Sequence, residues 1–316
     1  MRSMRLILPF LLVSLLIPAP TVAGELLVGG STAGAVYRFD SATGAKLDLF
    51  APGGTGGLSQ TRAVRQGPGE DVFVTSFGTS AVLRFSKDGA LLGTFVSAGS
   101  GGLTGPSDAL FGPDGNLYVS SLTLSLVLRY NGTTGAFIDT FVTPGSGELS
   151  GAEMMEFGPD GNLYVCSTNN GRVKCYDGDS GAYVREAVGA AGGGLNHPRD
   201  LAFTPLGDLL VSSFNTHSVL RYNPATAAYL GVFVAVGSGG LVNPHGLEFG
   251  PDGNLYVASF GNNRVLRYNG TTGAFLDVFV PVGALVAAPT GLLFTGGDTP
   301  VRPASWSTIK QGHRGP

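Results

Sequence analysis

The side chains best suited to chemistry are carboxylates, arginines and histidines that recur about 46 residues apart, near the start of short apolar segments. Carboxylate oxygens are donors that Ca²⁺ and Mg²⁺ prefer, and a nearby histidine could act as a base close to neutral pH. The candidate binding residues are Arg62, Asp108, Glu153, Glu156, His197, Arg199, Asp200, His245 and Glu248. The candidate metal ligands among them are Asp108, Glu156, Asp200 and Glu248, and the candidate catalytic base is His245.

A structural role competes with a chemical one for each of these residues. Their spacing brings them together only if the chain repeats its fold, and it is not diagnostic of a metal site. The carboxylates could instead form salt bridges with Arg62, Arg65 or Arg199. Glu156 and Glu248 each interrupt an apolar segment. Since a buried carboxylate without a partner is costly, we expect either a partner or water beside them.

The elements that must position these residues are copies of one repeat. The valine that closes a recurring phrase stands at Val28, Val74, Val119, Val165, Val211 and Val257, at spacings of 45 or 46 residues. A second set of landmarks has the same period: Arg38, Arg84, Arg129, Cys175, Arg221 and Arg267. Two independent landmarks with one period predict six copies of a structural unit.

Each copy contains four short apolar segments separated by turn residues. In the last complete copy they cover 246–250, 254–260, 264–268 and 274–280. Segments of this length, rich in Val, Leu, Phe and Tyr and without helical periodicity, are typical of antiparallel strands. The first two are apolar at nearly every position, which indicates burial on both faces. Six such units predict an all-β fold, a six-bladed β-propeller with four antiparallel strands per blade.

The ends of the repeat region predict how the ring closes. The first copy begins with a second strand at Glu25, and residues 290–297 form a first strand with no second strand after it. We expect the C-terminal strand to complete the N-terminal blade, because closure removes an open sheet edge. The propeller would then cover 24–297, and 298–316 would form a flexible tail, with a short docking segment around Trp306 as the alternative.

The copies themselves form the scaffold, so function is expected where they differ. The phrase FGPDGNLYV, which occurs three times, is interpreted as packing, turn and strand residues only. Counted in steps of 46, Arg62 is equivalent to Asp108 and Asp200, whereas Thr61 is equivalent to Glu153. This comparison predicts a patch of mixed charge at one mouth of the central channel.

The copies resemble the repeats of NHL propellers, and Asn243–Phe279 carries the resemblance most clearly: NPHGLEFGPDGNLYVASFGNNRVLRYNGTTGAFLDVF. Shared features are the proline-glycine start, the PDG turn, the asparagine-containing loop and the Arg-Val third strand. Neighbouring six-bladed families include SMP-30/gluconolactonase-like lactonases, virginiamycin B lyases and propellers that only bind. In those enzymes, metal ligands and bases lie on strand ends around the channel. NHL repeats usually carry aspartate after the second strand, but this chain has Ser76, Ser121, Ser167, Ser213 and Ser259, which makes catalysis less expected.

Charge and the N-terminus limit the function classes further. A net charge of -3 with scattered basic residues argues against nucleic acid as a partner. Met1–Ala23 has a basic start, an apolar stretch over 6–17 and small residues before Gly24, as a secretory signal peptide does. The stretch is shorter than the roughly 20 residues that span a bilayer. We expect an extracytoplasmic protein, periplasmic or secreted, with no transmembrane segment in the mature chain; an uncleaved anchor is the alternative.

The two cysteines, Cys166 and Cys175, flank a turn in the fourth copy of the repeat. If Asn170 and Gly171 form a two-residue hairpin turn, the cysteines lie directly opposite one another. A disulfide is then geometrically plausible in an oxidising compartment. Two free buried thiols are the alternative, and the sequence does not choose between them.

From the sequence we predict an exported, monomeric propeller that binds a protein, peptide or glycan partner on a loop-rich face and needs no cofactor. The alternative is a metal-dependent hydrolase or lyase of the lactonase-like kind, with Ca²⁺ or Mg²⁺ held by carboxylates at the channel mouth. The lack of a diagnostic catalytic spacing favours the binding module over the enzyme.

Overall fold

The computed structural model describes residues 24–190, 192–284 and 286–296, which form six four-stranded antiparallel sheets. The predicted signal peptide (1–23) and tail (298–316) lie outside these residues. The strands β1 to β24 are, in chain order, Glu25–Gly30, Ala35–Asp40, Lys46–Ala51, Thr61–Gln66, Val72–Ser76, Ala81–Phe85, Leu91–Val96, Pro106–Phe111, Leu117–Ser121, Leu126–Tyr130, Phe137–Val142, Ala152–Phe157, Leu163–Ser167, Arg172–Tyr176, Tyr183–Val188, Pro198–Phe203, Leu209–Ser213, Ser218–Tyr222, Tyr229–Val234, Pro244–Phe249, Leu255–Ser259, Arg264–Tyr268, Phe275–Val280 and Pro289–Thr295. No helix among the described residues is long and apolar enough to cross a membrane.

The sheets are the blades of a six-bladed β-propeller. Five blades use consecutive strands, β4–β7, β8–β11, β12–β15, β16–β19 and β20–β23, and the sixth has the order β24-β1-β2-β3. The C-terminal strand therefore completes the N-terminal blade, as predicted, with Val28 opposite Leu292. The innermost strands β4, β8, β12, β16, β20 and β24 contact one another in a closed ring.

The hydrophobic core lies between neighbouring blades. One cluster joins Leu110 and Tyr118 of one blade to Met155 and Val165 of the next, and similar clusters occupy the other blade interfaces. The second strands, such as Leu163–Ser167, are buried along their whole length because both of their faces are covered by neighbouring blades.

The recurring phrase FGPDGNLYV forms a turn and then links two blades. Asp114 accepts hydrogen bonds from the Asn116 backbone N–H and the Tyr118 hydroxyl, both at 3.1 Å. The Tyr118 ring packs edge-on against Phe157, the first residue of the next copy, with ring centres 5.2 Å apart. The first residue of the phrase thus packs on the residue at the tyrosine position of the preceding copy, as Phe111 packs on Phe73 and Phe157 on Tyr118.

The serines that end the second strands β5, β13, β17 and β21 fasten the loop that leads into their own blade. Ser213 Oγ accepts a hydrogen bond from the backbone N–H of Asn196 at 3.0 Å and donates one to the backbone carbonyl of Asn196 at 3.3 Å. Equivalent two-way contacts join Ser76 to Ser59, Ser167 to Ser150 and Ser259 to Val242. A serine hydroxyl suits this position because it both donates and accepts.

The hairpin between β13 and β14 does not have the predicted register. Cys166 lies opposite Val173, and Cys175 lies opposite Tyr164. The loop covers residues 168–171, a 3₁₀ turn closed by Gly171 in the left-handed region, so the two-residue turn is wrong and the cysteines are not directly opposed. Both thiols are free and buried.

Candidate functional site

The predicted site residues lie on the innermost strands, which line the channel, and on the loops leading into them. Each innermost strand starts at the same face of the ring, which also carries the loops between second and third strands. We call this the loop face. The Pro-Asp-Gly turns lie at the opposite face, because neighbouring strands of a blade run antiparallel.

Strand pairing aligns the blade β4–β7 with the other blades one residue away from the alignment that a step of 46 residues predicts. The second-strand valines of this blade and the next are 45 residues apart, and their partners Val64 and Ala109 keep that spacing. Arg62 is therefore equivalent to Ser107, and its predicted equivalence with Asp108 is wrong. The six equivalent residues, which we call the mouth layer, are Arg62, Ser107, Glu153, Arg199, His245 and Thr290.

Glu153 is the centre of the mouth layer. Its carboxylate is fully buried and accepts hydrogen bonds from Arg62 Nη1 at 3.1 Å and Arg199 Nη1 at 3.0 Å. Ser107 Oγ donates to the same carboxylate at 3.3 Å. One carboxylate thus pairs with two arginines from different blades, one on β4 and one on β16.

Aromatic rings support both arginines from the other side. The Arg62 guanidinium lies 4.6 Å from the centre of the Phe77 ring, and the Arg199 guanidinium lies 4.7 Å from that of Phe214. Each phenylalanine directly follows the serine that ends a second strand. Cation–π contact and the carboxylate together fix each guanidinium in one place.

His245 is buried in the same layer. Its ring is 1 % exposed and stacks on Phe260 with the ring centres 5.9 Å apart, while Nε2 lies 3.8 Å from Glu153 Oε1. Among the described residues, neither ring nitrogen has a hydrogen-bond partner. Burial, reinforced by Arg199 and Arg62, holds the pKa of His245 well below its usual value, so the ring is neutral.

His197 lies nearer the rim of the channel, in the loop before β16. It is half-buried, and its ring centre is 5.8 Å from that of Phe214. Burial lowers the pKa of His197, and the neighbouring Arg199 lowers it further. At neutral pH both histidines of the mouth are therefore uncharged.

A second set of charged residues, the deep layer, comprises Arg65, Asp108, Glu156, Asp200 and Glu248. Arg65 binds Asp108 with two hydrogen bonds, Nε to Oδ1 at 2.9 Å and Nη2 to Oδ2 at 2.7 Å, and its Nη1 lies 3.7 Å from Glu156 Oε2. Burial lowers the pKa of Arg65, but Asp108 and Glu156 outweigh that effect and raise it well above its ordinary value. Glu156 therefore has the partner that its burial required.

The two aspartates of the deep layer each join one innermost strand to the next. Asp108 Oδ2 accepts the Met155 amide at 3.0 Å, and Asp200 Oδ2 accepts the Leu247 amide at 2.9 Å. Among the described side chains, no arginine or lysine forms an ion pair with Asp200. Burial raises the pKa of Asp200 to about 7, although Arg65 and the Leu247 amide act in the opposite direction.

The predicted metal ligands are not gathered around one centre. In the described part of the chain, no three His, Cys, Asp or Glu residues are placed to hold a metal ion. Asp108 gives both oxygens to Arg65, and Glu248 lies partly buried at the position on β20 that Arg65 occupies on β4. The carboxylates of this channel therefore do not fit a Ca²⁺ or Mg²⁺ site.

Sequence reasoning missed the aromatic residues of the mouth, Phe77, Phe214 and Phe260. A usable signal was present, because all three follow the strand-ending serines at the same position of the repeat. Residue type alone does not reveal the role, because phenylalanine is also a core residue of the repeated phrase.

Comparison with solved structures agrees with this architecture. The chain is similar to one chain in a crystal structure of a nidogen/laminin complex (TM-score 0.68, 18% identity, 86% of this chain and 98% of that chain) and to a protein of unknown function from Bacteroides caccae (0.67, 17%, 86% and 99%). It is also similar to a streptogramin B lyase (0.59, 14%, 89% and 92%) and to virginiamycin B lyase from Staphylococcus aureus (0.55, 16%, 75% and 77%). No protein-family model matches the chain, and no curated protein matches it. At these identities the likeness defines the class of fold, a β-propeller.

Proposed function

We propose that this protein is a binding module that holds a protein, peptide or glycan partner on its loop face. One observation carries the proposal: Arg62 and Arg199 are fixed at the channel mouth by Glu153 and two phenylalanine rings, yet 18% and 15% of their side chains are exposed. Arginine and aromatic residues dominate the binding energy of many interfaces. A side chain that is already fixed loses little entropy when a partner binds.

Two further observations support binding over catalysis. The acidic groups that could do chemistry are engaged with arginines or with backbone amides, as Glu153 and Asp108 are. The fold is also similar to that in the nidogen/laminin complex, in which one protein binds another.

The test places lysines on each face and compares partner capture. The loop-face variant carries Asn169→Lys and Asn215→Lys. The variant of the opposite face carries Thr133→Lys and Thr271→Lys. All four residues are exposed in the native protein. Each variant is immobilised and exposed to extracytoplasmic extract and to a glycan array. We expect capture to be lost at least tenfold in the loop-face pair and kept in the other pair.

The opposite pattern, or equal loss in both pairs, would contradict the assignment of the loop face. Circular dichroism and thermal unfolding of all variants serve as the folding control, because each substitution is at an exposed turn.

A hydrolase or lyase of the lactonase-like kind is a second candidate, supported by one observation. His245 is neutral, and its nitrogens are unpartnered among the described residues, as a general base in the channel would require. Its metal-dependent form lacks fitting ligands. A screen of lactones and esters that detects turnover lost in His245→Ala but kept in His217→Ala would favour this candidate, and a blank screen would count against it.

A further inference from the structure

The mouth layer carries one unit of excess positive charge. Arg62 and Arg199 share the single carboxylate of Glu153, and His245 is uncharged. Ser107 and Thr290 complete the layer without adding charge. Within this layer, an anion with one negative charge would therefore balance the charges of Arg62, Arg199 and Glu153.

The same layer holds a concentration of hydrogen-bonding groups that are not used. Arg62 and Arg199 each give Nη1 to Glu153, but Nε of each is buried and has no hydrogen-bond partner in the described part of the chain. Both ring nitrogens of His245 also lack a hydrogen-bond partner among the described residues, and the ring is 1 % exposed. A buried donor without an acceptor destabilises the folded state. Both unpartnered nitrogens of His245, beside two partly exposed guanidinium groups, point to a ligand that brings a hydrogen-bonding group to this layer.

The chemistry of the donors selects the kind of acceptor. A guanidinium presents parallel N–H groups in a plane, which matches the two oxygens of a carboxylate. A phosphate dianion would leave excess negative charge beside buried Glu153, and a hydroxyl group would leave the positive charge unbalanced. A carboxylate satisfies both the donors and the charge.

We propose that the mouth layer is a carboxylate-binding site, in which Arg62 and Arg199 bind the free carboxylate of a ligand and His245 donates a ring N–H. This inference rests on the proposed binding function and specifies the chemical group that the partner inserts at the channel mouth. A free carboxylate can come from the C-terminus of a peptide or from an acidic sugar, and both supply the same group.

The experiment measures binding of small carboxylates to the mature protein by isothermal titration calorimetry in low-salt buffer. N-acetylglycine represents a peptide C-terminus and glucuronate represents an acidic sugar, and each has a neutral counterpart, N-acetylglycinamide and glucose. We expect one or both carboxylates to bind at least tenfold more tightly than their neutral counterparts. Binding should weaken as salt is added, because the interaction is ionic.

Variants locate the site. Arg62→Gln and Arg199→Gln should each reduce carboxylate affinity at least tenfold, whereas Arg129→Gln should not, because Arg129 pairs with Asp139 on an outer part of a blade. If a glutamine variant does not fold, Arg62→Lys and Arg199→Lys keep the charge but lose the planar donors, and they should also weaken binding.

Failure of this inference is distinguishable from failure of the proposed function. If the folded protein binds neither carboxylate, binds the neutral compounds equally well, or binds chloride as tightly as a carboxylate, the site is not a carboxylate site. The loop-face lysines could still abolish partner capture, and the proposed function would then stand without it. Binding that survives in both arginine variants would likewise overturn the assignment.

Discussion

At the scale of single residues, the mouth layer depends on Glu153, whose buried carboxylate is bound by arginines from two blades. A buried ion pair is costly to form and is more costly to break, because removing one partner leaves the other charge buried and uncompensated. Exposed ion pairs contribute far less, since water and salt screen them. The same residue types therefore have very different energetic weight at different depths of this protein.

The substitution Glu153→Gln tests how much the buried carboxylate contributes to the free energy of unfolding. We expect it to lower the free energy of unfolding by about 3 kcal/mol or more, because two arginines lose their counter-charge in the channel. The matched control is Glu70→Gln, which breaks the exposed pair between Lys87 and Glu70 at 3.3 Å and should change stability by less than about 0.5 kcal/mol. Urea unfolding of both variants provides the comparison, and equal effects would show that Glu153 has no special weight.

The raised pKa of Asp200 leads us to expect that the stability of the protein depends on pH. Its pKa is about 7 in the folded protein, above its ordinary value of 3.8, so the folded state binds more protons than the unfolded state between these values. Its contribution should therefore lower stability as pH rises from about 4 to 7, by up to roughly 1.4 kcal/mol per pH unit.

The variant Asp200→Asn should remove this contribution and flatten the pH profile, whereas Asp88→Asn in an exposed turn should leave it as it is. Urea unfolding at several values from pH 4.5 to 7.5 measures the slope. Parallel profiles for the wild type and Asp200→Asn would mean that another group titrates.

At the scale of secondary-structure elements, the hairpin β13–β14 decides the chemistry of both cysteines. Cys166 and Cys175 belong to one apolar cluster between two blades, and they lie out of register with each other. Burial raises the pKa of Cys175 to about 11 and raises that of Cys166 well above its usual value. Thiols in this setting are unreactive because the thiolate is the nucleophile.

Alkylation of the thiols tests the hairpin register. In the native protein we expect neither cysteine to react with iodoacetamide within hours, and we expect both to react after denaturation without any reductant. Mass spectrometry of the peptides gives the number of alkylated cysteines. If the two cysteines react only after reduction, they form a disulfide, and the hairpin register is contradicted. Thermal unfolding with and without reductant is the control, and the midpoint should be the same in both.

At the scale of the whole molecule, stability depends on closing the ring. Strand β24 pairs with β1 and contacts the innermost strands β4 and β20, so the last described strand joins the first blade to its neighbours on both sides. Closure of this kind protects the edge that β1 would otherwise expose. The ring also places residues from blades far apart in sequence, such as Arg62 and Glu153, in one layer.

A cavity in β24 tests the importance of closure. Leu292 is 4 % exposed in the cluster between the first and last blades, and Leu292→Ala should cost about 2–5 kcal/mol. Leu206, which is 83 % exposed in a turn, provides the control Leu206→Ala, with an expected change within about 0.5 kcal/mol. Thermal unfolding and hydrogen exchange of β1 measure the effect, and protection of β1 that is unchanged in Leu292→Ala would contradict the role of β24.

The sequence by itself determined the ring: two landmarks of equal period predicted six units, the turn residues predicted four strands in each, and the unmatched ends predicted closure by β24. These features are repeated locally along the chain, so periodicity alone reveals them. The charged composition of the channel mouth was also predictable, because it follows from which strand is innermost.

Only the tertiary structure decided which residues meet. The pairing of Val64 with Val74 and of Ala109 with Val119 puts Arg62 in the layer of Glu153. A 3₁₀ turn at residues 168–171 puts Cys166 out of line with Cys175. A shift of one residue reverses the face on which a side chain lies, yet it leaves the apolar pattern of a strand buried on both faces almost unchanged. Register in such strands is selected by packing between blades, which the sequence pattern of one copy does not contain.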